Sequence, residues 1–301
     1  MPGRAGRLID FDEFAARKVQ EAERARLTPL STLDDKSGAF DCVTIGNDWS
    51  RYLYDGLFHL ASDRASETPS VSLVFVQSRD GNTGADNPDS LGGGPVDKHL
   101  IYEGLSRVAV DGVLAGAKSI GKHTFFSVWH PELISLRTSL GLPRHPAQII
   151  VSGTGCVDLE RILVFNVPAV PVFILSTASG CERLEQAVSQ RQGIELIAMS
   201  HDQLRAPLSF LRHERGIRRI SAVGGRRTAS ALIDQNLVRD ILLTTTARVA
   251  GEPNTRFYNG NHTLELQTIV RKKGTDPEFP IVFEHSTIDA GSRNLFRRPV
   301  V

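Results

Sequence analysis

The sequence has no long hydrophobic run. Its longest apolar stretch, Val164 to Leu175, is broken by Asn166, Pro168 and Pro171, whereas a bilayer-spanning helix needs about 20 consecutive apolar residues. No membrane segment is expected. Cysteine is scarce as well. Cys42, Cys156 and Cys181 are odd in number and far apart, so they make neither a disulfide framework nor a C-x-x-C metal pair, and a reducing cytosol is the expected setting. Charge of one sign is not in excess either. Lys and Arg number 35 against 34 Asp and Glu, a formal net charge of +1, which gives no electrostatic basis for coating nucleic acid or a membrane surface. The opening MPGRAGRLIDFDEF has charges where a signal peptide keeps its apolar core.

Several short motifs are missing. Neither the dinucleotide fingerprint G-x-G-x-x-G nor the P-loop spacing occurs. There is no G-x-S-x-G nucleophile elbow and no zinc deaminase signature. His99, His123, His130, His145, His201, His213, His262 and His285 stand singly, without H-x-x-x-H or H-E-x-x-H spacing, so no metal site is expected. Cys156 and Cys181 need electropositive neighbours to be reactive, and the sequence places none beside them.

What is present is an alternating texture. The 301 residues are 41% hydrophobic and 23% charged, the composition of a globular chain of one or two domains. Residues 8–27 read as an exposed helix, acidic early and basic late. Thr28 to Ser37, with Pro29, reads as a linker, and Trp49 to Ala61 as a helix with Leu53, Leu57 and Leu60 on one face. Residues 1–68 are therefore expected to form an N-terminal helical extension, followed by one domain over 69–301.

From Pro69 onward short apolar strands alternate with helices. Strands are expected at 71–78, 110–117, 148–155, 170–177, 194–200, 218–225 and 240–251. Helices are expected at 96–108, 182–192, 204–215 and 228–235, and 264–273 with 279–287 form a closing antiparallel pair. Strands apolar on both sides, with helices between them, imply an α/β fold around a mostly parallel sheet. Its ligand belongs at the carboxyl ends of the strands.

Three strand ends run into glycine: Gly116 followed by Ala117, Lys118 and Ser119; Ser152 with Gly153 and Gly155; and Gly224-Gly225 before a helix. One glycine after a strand answers the needs of a turn. Three at successive ends point to an anionic ligand such as a nucleotide, held by backbone N–H groups and a helix N-terminus, with Arg226 and Arg227 as positive partners. Ser78-Arg79-Asp80-Gly81 reads either as an Asp-Gly turn or as a carboxylate held toward the ligand.

Taken in order, these segments resemble the reductase domain of riboflavin biosynthesis, the C-terminal half of bifunctional deaminase–reductases, with a dihydrofolate-reductase-like fold. SVSLVFVQSRDG resembles its first strand and S-x-D-G turn. SRVAVDGVLAGAKSI, with Arg107, Asp111, Gly116 and Ser119, resembles its second. PRHPAQIIVSGTG and RRISAVGGRRTASALIDQNLVRDILLTTTARVAGEPNTRFY match the later segments.

The resemblance implies an NADPH-dependent reductase acting on the ribose carbon of a ribosylamino-pyrimidine phosphate. It implies a cytoplasmic homodimer and, with no deaminase domain alongside, a stand-alone enzyme. Carried over, Gly116, Ser119, Ser152, Gly224, Gly225, Arg226 and Thr228 line the cofactor site; Arg227, Lys118 and Lys122 join Arg226 as candidates for a 2′-phosphate. Asp80 is the expected catalytic carboxylate, and Ser78, Gly81, His130 and Val223 face the substrate.

The departures fall on the substrate side. Val223 replaces a glutamate, His123 and Thr124 replace two acids, and His130 replaces an arginine that holds phosphate. Residues Leu237 to Asp240 depart from the family's L-v-D-E. A changed substrate, pterin-like or a carbonyl compound, and a non-catalytic nucleotide-binding role both follow as alternatives.

Overall fold

The computed structural model describes residues 10–62, 66–85, 88–201, 203–260 and 263–288. The first residues of the expected N-terminal helix and His262 lie outside them. Helix α1 (Phe11–Arg24) starts where Asp10 accepts hydrogen bonds from the Asp12 and Glu13 N–H groups, and its acidic first turn and basic last turn suit the helix dipole.

Two expectations for the N-terminal residues need correcting. Thr28 to Ser37 is not a linker: Leu30–Asp35 is strand β1, which later pairs into the main sheet. Trp49 to Ala61 is not one helix. After strand β2 (Cys42–Ile45), helix α2 (Asp48–Tyr54) stops at Asp55, which is left-handed at φ 56°, and the chain re-emerges as strand β3 (Phe58–Ala61), the antiparallel partner of β2. Only Leu30 and Leu33 are apolar in β1, three residues apart, so the strand has no alternating pattern; Pro29 precedes it, where it removes no ladder bond.

The remainder follows the expected alternation, with one further helix before the third parallel strand that the sequence reading did not include. Strand β4 (Ser70–Gln77) leads to a ten-residue π-helix (Val96–Leu105) and then to β5 (Gly112–Gly116). Helix α3 (Pro131–Ser139) precedes β6 (Ala147–Val151), and β7 (Val172–Ser176) is followed by α4 (Ala178–Ser189) and β8 (Ile194–Ala198). Then come α5 (Arg205–Arg215), β9 (Arg219–Val223), α6 (Arg226–Asp234), β10 (Val238–Thr246), β11 (Leu266–Gly274) and β12 (Ile281–Ile288).

Ten strands form one sheet in the order β1-β11-β12-β10-β4-β9-β5-β6-β7-β8. From β10 to β8 every neighbouring pair is parallel, while β12, β11 and β1 close the other end antiparallel. This is the expected mostly parallel sheet with closing antiparallel strands. Alternating residues divide its core in two. Val74, Val113, Ile150, Ile174 and Leu242 pack with the π-helix, α2, α3 and α4, and Leu73, Leu114, Ile149, Phe173 and Ile220 pack with α5 and α6.

The N-terminal residues are pinned to this sheet by Lys272 on β11, which is buried. Its Nζ donates to Thr32 Oγ1 at 2.7 Å and to the Asp55 carbonyl at 3.0 Å, and lies 4.3 Å from the centre of the Tyr54 ring. A buried ammonium needs such partners, since desolvating it alone is costly. The expected helical extension thus supplies the sheet's edge strand.

Candidate functional site

All seven parallel strands end on one edge of the sheet, so the loops after β4, β5, β6, β9 and β10 converge there. Two groups of residues meet on that edge.

The first group lies where β5 and β9 end. Gly224 (φ 76°) and Gly225 (φ 85°) take backbone conformations that a side chain would strain, and Gly225 begins α6 with no side chain capping the helix. The N–H groups of its first turn are left to face an anion. Ser119 lies against both glycines: a Cβ on Gly225 would meet Ser119 Oγ at 3.1 Å and Thr228 Oγ1 at 3.5 Å. Gly116 lets β5 approach α6, because a Cβ there would sit 2.8 Å from Thr228 Oγ1. Gly116, Ser119, Gly224, Gly225 and Thr228 are therefore brought together. Arg226 stands at the first position of α6, loosely paired with Glu252 at 3.9 Å.

Ser152 is one strand further along, buried at the end of β6. Its carbonyl accepts from Ser176 Oγ at 2.5 Å, and Thr177 Oγ1 donates to the Gly153 carbonyl at 2.6 Å while capping α4. In the same loop Arg183 Nη1 lies 3.0 Å from Cys156 Sγ. Hydrogen bonding with Thr154, and then this guanidinium, hold the exposed thiol below its usual range. The electropositive neighbour that the sequence did not show comes from α4. Cys181, by contrast, is pushed up by burial.

The second group lies where β4 and β10 end. Ser78 Oγ donates to Asp80 Oδ1 at 2.6 Å, Asn82 Nδ2 donates to Asp80 Oδ2 at 2.6 Å, and the Gly81 N–H closes the turn on the Ser78 carbonyl at 2.9 Å. These bonds, that from Ser78 first, hold the Asp80 carboxyl below the usual carboxylate range. At neutral pH it is an ionised acceptor, suited to ordering the loop and unsuited to giving up a proton.

A different acid, which the sequence reading missed, has the opposite character. Asp97 stands in the first turn of the π-helix beside Gly93 and Thr244, and burial pushes its carboxyl up to about 6, helped by the charge of Asp89 and opposed by the Thr244 hydroxyl. A carboxyl poised near neutrality beside Thr244 of β10 is what proton transfer needs. Pi-helical turns are rare and occur often at functional sites. In the sequence, LGGGPVD (91–97) is a glycine loop running into an acid at a helix start, a pattern shared by ordinary flexible loops.

His130 is not brought to this edge. It caps α3, its Nδ1 accepting from the Glu132 N–H at 3.3 Å, and stacks on Trp49 with ring centres 4.0 Å apart. Val223 ends β9 with its side chain buried in the core. Other histidines are also tied up structurally. His99 Nδ1 lies 2.9 Å from Glu103 Oε2, and His145 sits among Phe11, Phe125 and Trp129, where burial pushes it down to about 4.

Comparison with known proteins agrees with this architecture. The family of the RibD C-terminal domain matches residues 69–274. Among solved structures, a pyrimidine reductase-like protein from Corynebacterium diphtheriae superposes with TM-score 0.59 at 17% identity, covering 73% of this chain and 92% of its own. Acinetobacter baumannii RibD gives 0.56 at 14%, covering 75% of this chain and 59% of its own. A Thermotoga maritima diaminohydroxyphosphoribosylaminopyrimidine deaminase/5-amino-6-(5-phosphoribosylamino)uracil reductase gives 0.52 at 16%, covering 74% and 57%. At these identities the likeness is one of fold. No curated protein matches the sequence. Among the described residues no helix is long and apolar enough to cross a membrane.

Proposed function

The chain belongs to the family of the RibD C-terminal domain, and from that premise we propose that it is an NADPH-dependent reductase of a small heterocyclic substrate, a ribosylamino-pyrimidine phosphate being the first to test. The observation that carries the reading is the uncapped start of α6, with Gly224 and Gly225 at positive φ and Ser119, Thr228 and Gly116 packed around it. That cradle fits a dinucleotide pyrophosphate. Backbone N–H groups of Gly225 to Thr228 and the Thr228 hydroxyl would hold it, Arg226 would add charge, and Ser152 would border the adenine side. When bound, the nicotinamide supplies the hydride.

The protein's own part is positioning and proton delivery. Asp97 is the proton donor of this reading: burial raises its carboxyl to about 6, near enough to neutrality for general acid catalysis. Asp80, ionised and fixed by Ser78 and Asn82, would accept a hydrogen bond from the substrate and hold the turn at Gly81. The family resemblance adds a cytoplasmic homodimer, which sedimentation of the purified protein would check.

The test is NADPH oxidation with 5-amino-6-(5-phosphoribosylamino)uracil, followed by loss of nicotinamide absorbance. Oxidation that depends on the pyrimidine supports the reading. A protein that binds neither NADPH nor NADH overturns it.

A further inference from the structure

A cavity opens at the other end of the sheet from the candidate site. Ser70 begins β4, Arg219 begins β9 and Asp240 stands third in β10, so all three lie at the amino edge of the parallel strands. Antiparallel β12 brings His285 to the same edge, opposite Leu242. His59 of β3 and the end of the π-helix complete the wall. The cavity measures about 30 Å³, room for roughly two or three water-sized groups. His59, Asp240 and His285 are buried, while Leu60, Ser70, Ser72 and Arg219 are half-buried and form its mouth.

The wall carries buried polar atoms that the rest of the protein leaves unsatisfied. Among the described residues, neither nitrogen of His285 has a hydrogen-bond partner, nor has His59 Nδ1 or Arg219 Nε. Asp240 Oδ2 approaches His285 Nε2 only to 3.8 Å, beyond hydrogen-bond reach. Buried polar groups are almost always partnered, because an unmet one has given up its bonds to water for nothing. Four such atoms around one cavity require a guest that supplies the missing bonds.

The chemistry of the wall sets what that guest carries. Arg219 Nε–H can only donate, and the Asp240 carboxylate can only accept. Burial holds the His59 imidazole below its ordinary range, so at neutral pH it has one nitrogen to donate and one to accept. One guanidinium and one carboxylate balance each other in the wall, and a charged guest would leave a charge uncompensated in a half-enclosed space. A neutral group with a carbonyl oxygen beside an N–H meets both demands. We propose that this cavity binds the carboxamide or lactam edge of a small neutral molecule, its carbonyl accepting from Arg219 and a histidine and its N–H donating to Asp240. The site is separate from the reductase reading: none of its residues belongs to the glycine cradle or stands beside Asp97.

The test titrates acetamide into the full chain carrying nitrogen-15-labelled histidine, and reads the imidazole signals of His59 and His285, assigned with His59→Gln and His285→Gln. Both signals are expected to shift and saturate with acetamide, and to respond far less to acetate or methylammonium at the same concentration. Arg219→Met, which removes the donor at the mouth, should weaken acetamide binding about fivefold, the scale of one net hydrogen bond. The His145 signal, displaced by the rings of Phe11, Phe125 and Trp129 around it, shows that the variant is folded. The absence of a saturating shift would mean that water alone fills the cavity and would overturn the proposal. So would an equal response to acetate, or an affinity that Arg219→Met leaves unchanged. NADPH oxidation does not enter the measurement, so either result leaves the reductase reading where it stands.

Discussion

The two groups of residues at the strand ends are built differently. On one side, around Gly116, Ser119, Gly224, Gly225 and Thr228, the chemistry belongs to the backbone: positive φ angles, close approach and the N–H groups of an uncapped helix. On the other, around Gly92 to Gly94, Asp97, Arg248 and Phe279, it belongs to side chains drawn from three separate segments. A backbone site needs glycines at a strand-to-helix junction, and this leaves a local pattern. A side-chain site can be assembled from residues far apart in the chain, as Asp97 and Phe279 are at 182 positions. Such a site leaves none.

This difference explains what the sequence disclosed. The strands from 71 to 287 were legible because each is a short valine- and isoleucine-rich run ended by a turn, and Gly224-Gly225 was legible as the junction of one such run with a helix. Asp97 was not, because its raised affinity for a proton comes from packing around it, a property of the folded state alone. Asp80 shows the same limit. Its turn was correctly visible, but which protonation state the turn would favour depended on the Ser78 and Asn82 donors. Strand β1 escaped because its pairing partner lies far along the chain: Leu30 sits opposite Gly274.

The comparison can be broken most forcefully at Gly225. Gly225→Asp places a side chain at φ 85° and a carboxylate on the helix start, so NADPH affinity should fall by about two orders of magnitude, an estimate from strain plus lost anion contacts. Fluorescence titration reads this, and near-wild-type affinity would show that the backbone half is not the cofactor site.

Asp97→Asn should act on the other half alone. With loss of general acid catalysis, turnover should drop by roughly two to three orders of magnitude with NADPH affinity unchanged. In the wild type kcat should fall as pH rises through about 6, where Asp97 loses its proton, and the variant should lack that limb. The same group makes a stability prediction. Its carboxyl binds a proton more tightly folded than unfolded, so between about pH 4 and 6 the native state holds more protons, and its contribution to stability is present below pH 4 and lost as pH rises through 6. At pH 7 the neutral Asn should therefore be more stable than Asp, by on the order of 2 kcal/mol, in urea denaturation.

Asp80→Asn should do less. With its carboxylate gone, the loop at Ser78 loses its best acceptor, and kcat/KM should fall about tenfold, the scale of one charge-assisted hydrogen bond, while the limb near pH 6 stays in place. Disappearance of that limb would move proton delivery back to Asp80. The smallest effect belongs to His130. His130→Ala removes a helix cap and a ring stacked on Trp49, so thermal denaturation should show a loss of about 1 kcal/mol with kcat/KM within twofold of wild type. A large loss of kcat/KM at unchanged stability would place His130 in the site after all.

The most direct test of the separation is one titration of NADPH into three proteins: wild type, Gly225→Asp and Asp97→Asn. The account predicts micromolar binding to the wild type and to Asp97→Asn, and binding about a hundredfold weaker to Gly225→Asp. Absence of binding to the wild type, or binding that Asp97→Asn abolishes and Gly225→Asp retains, would contradict it.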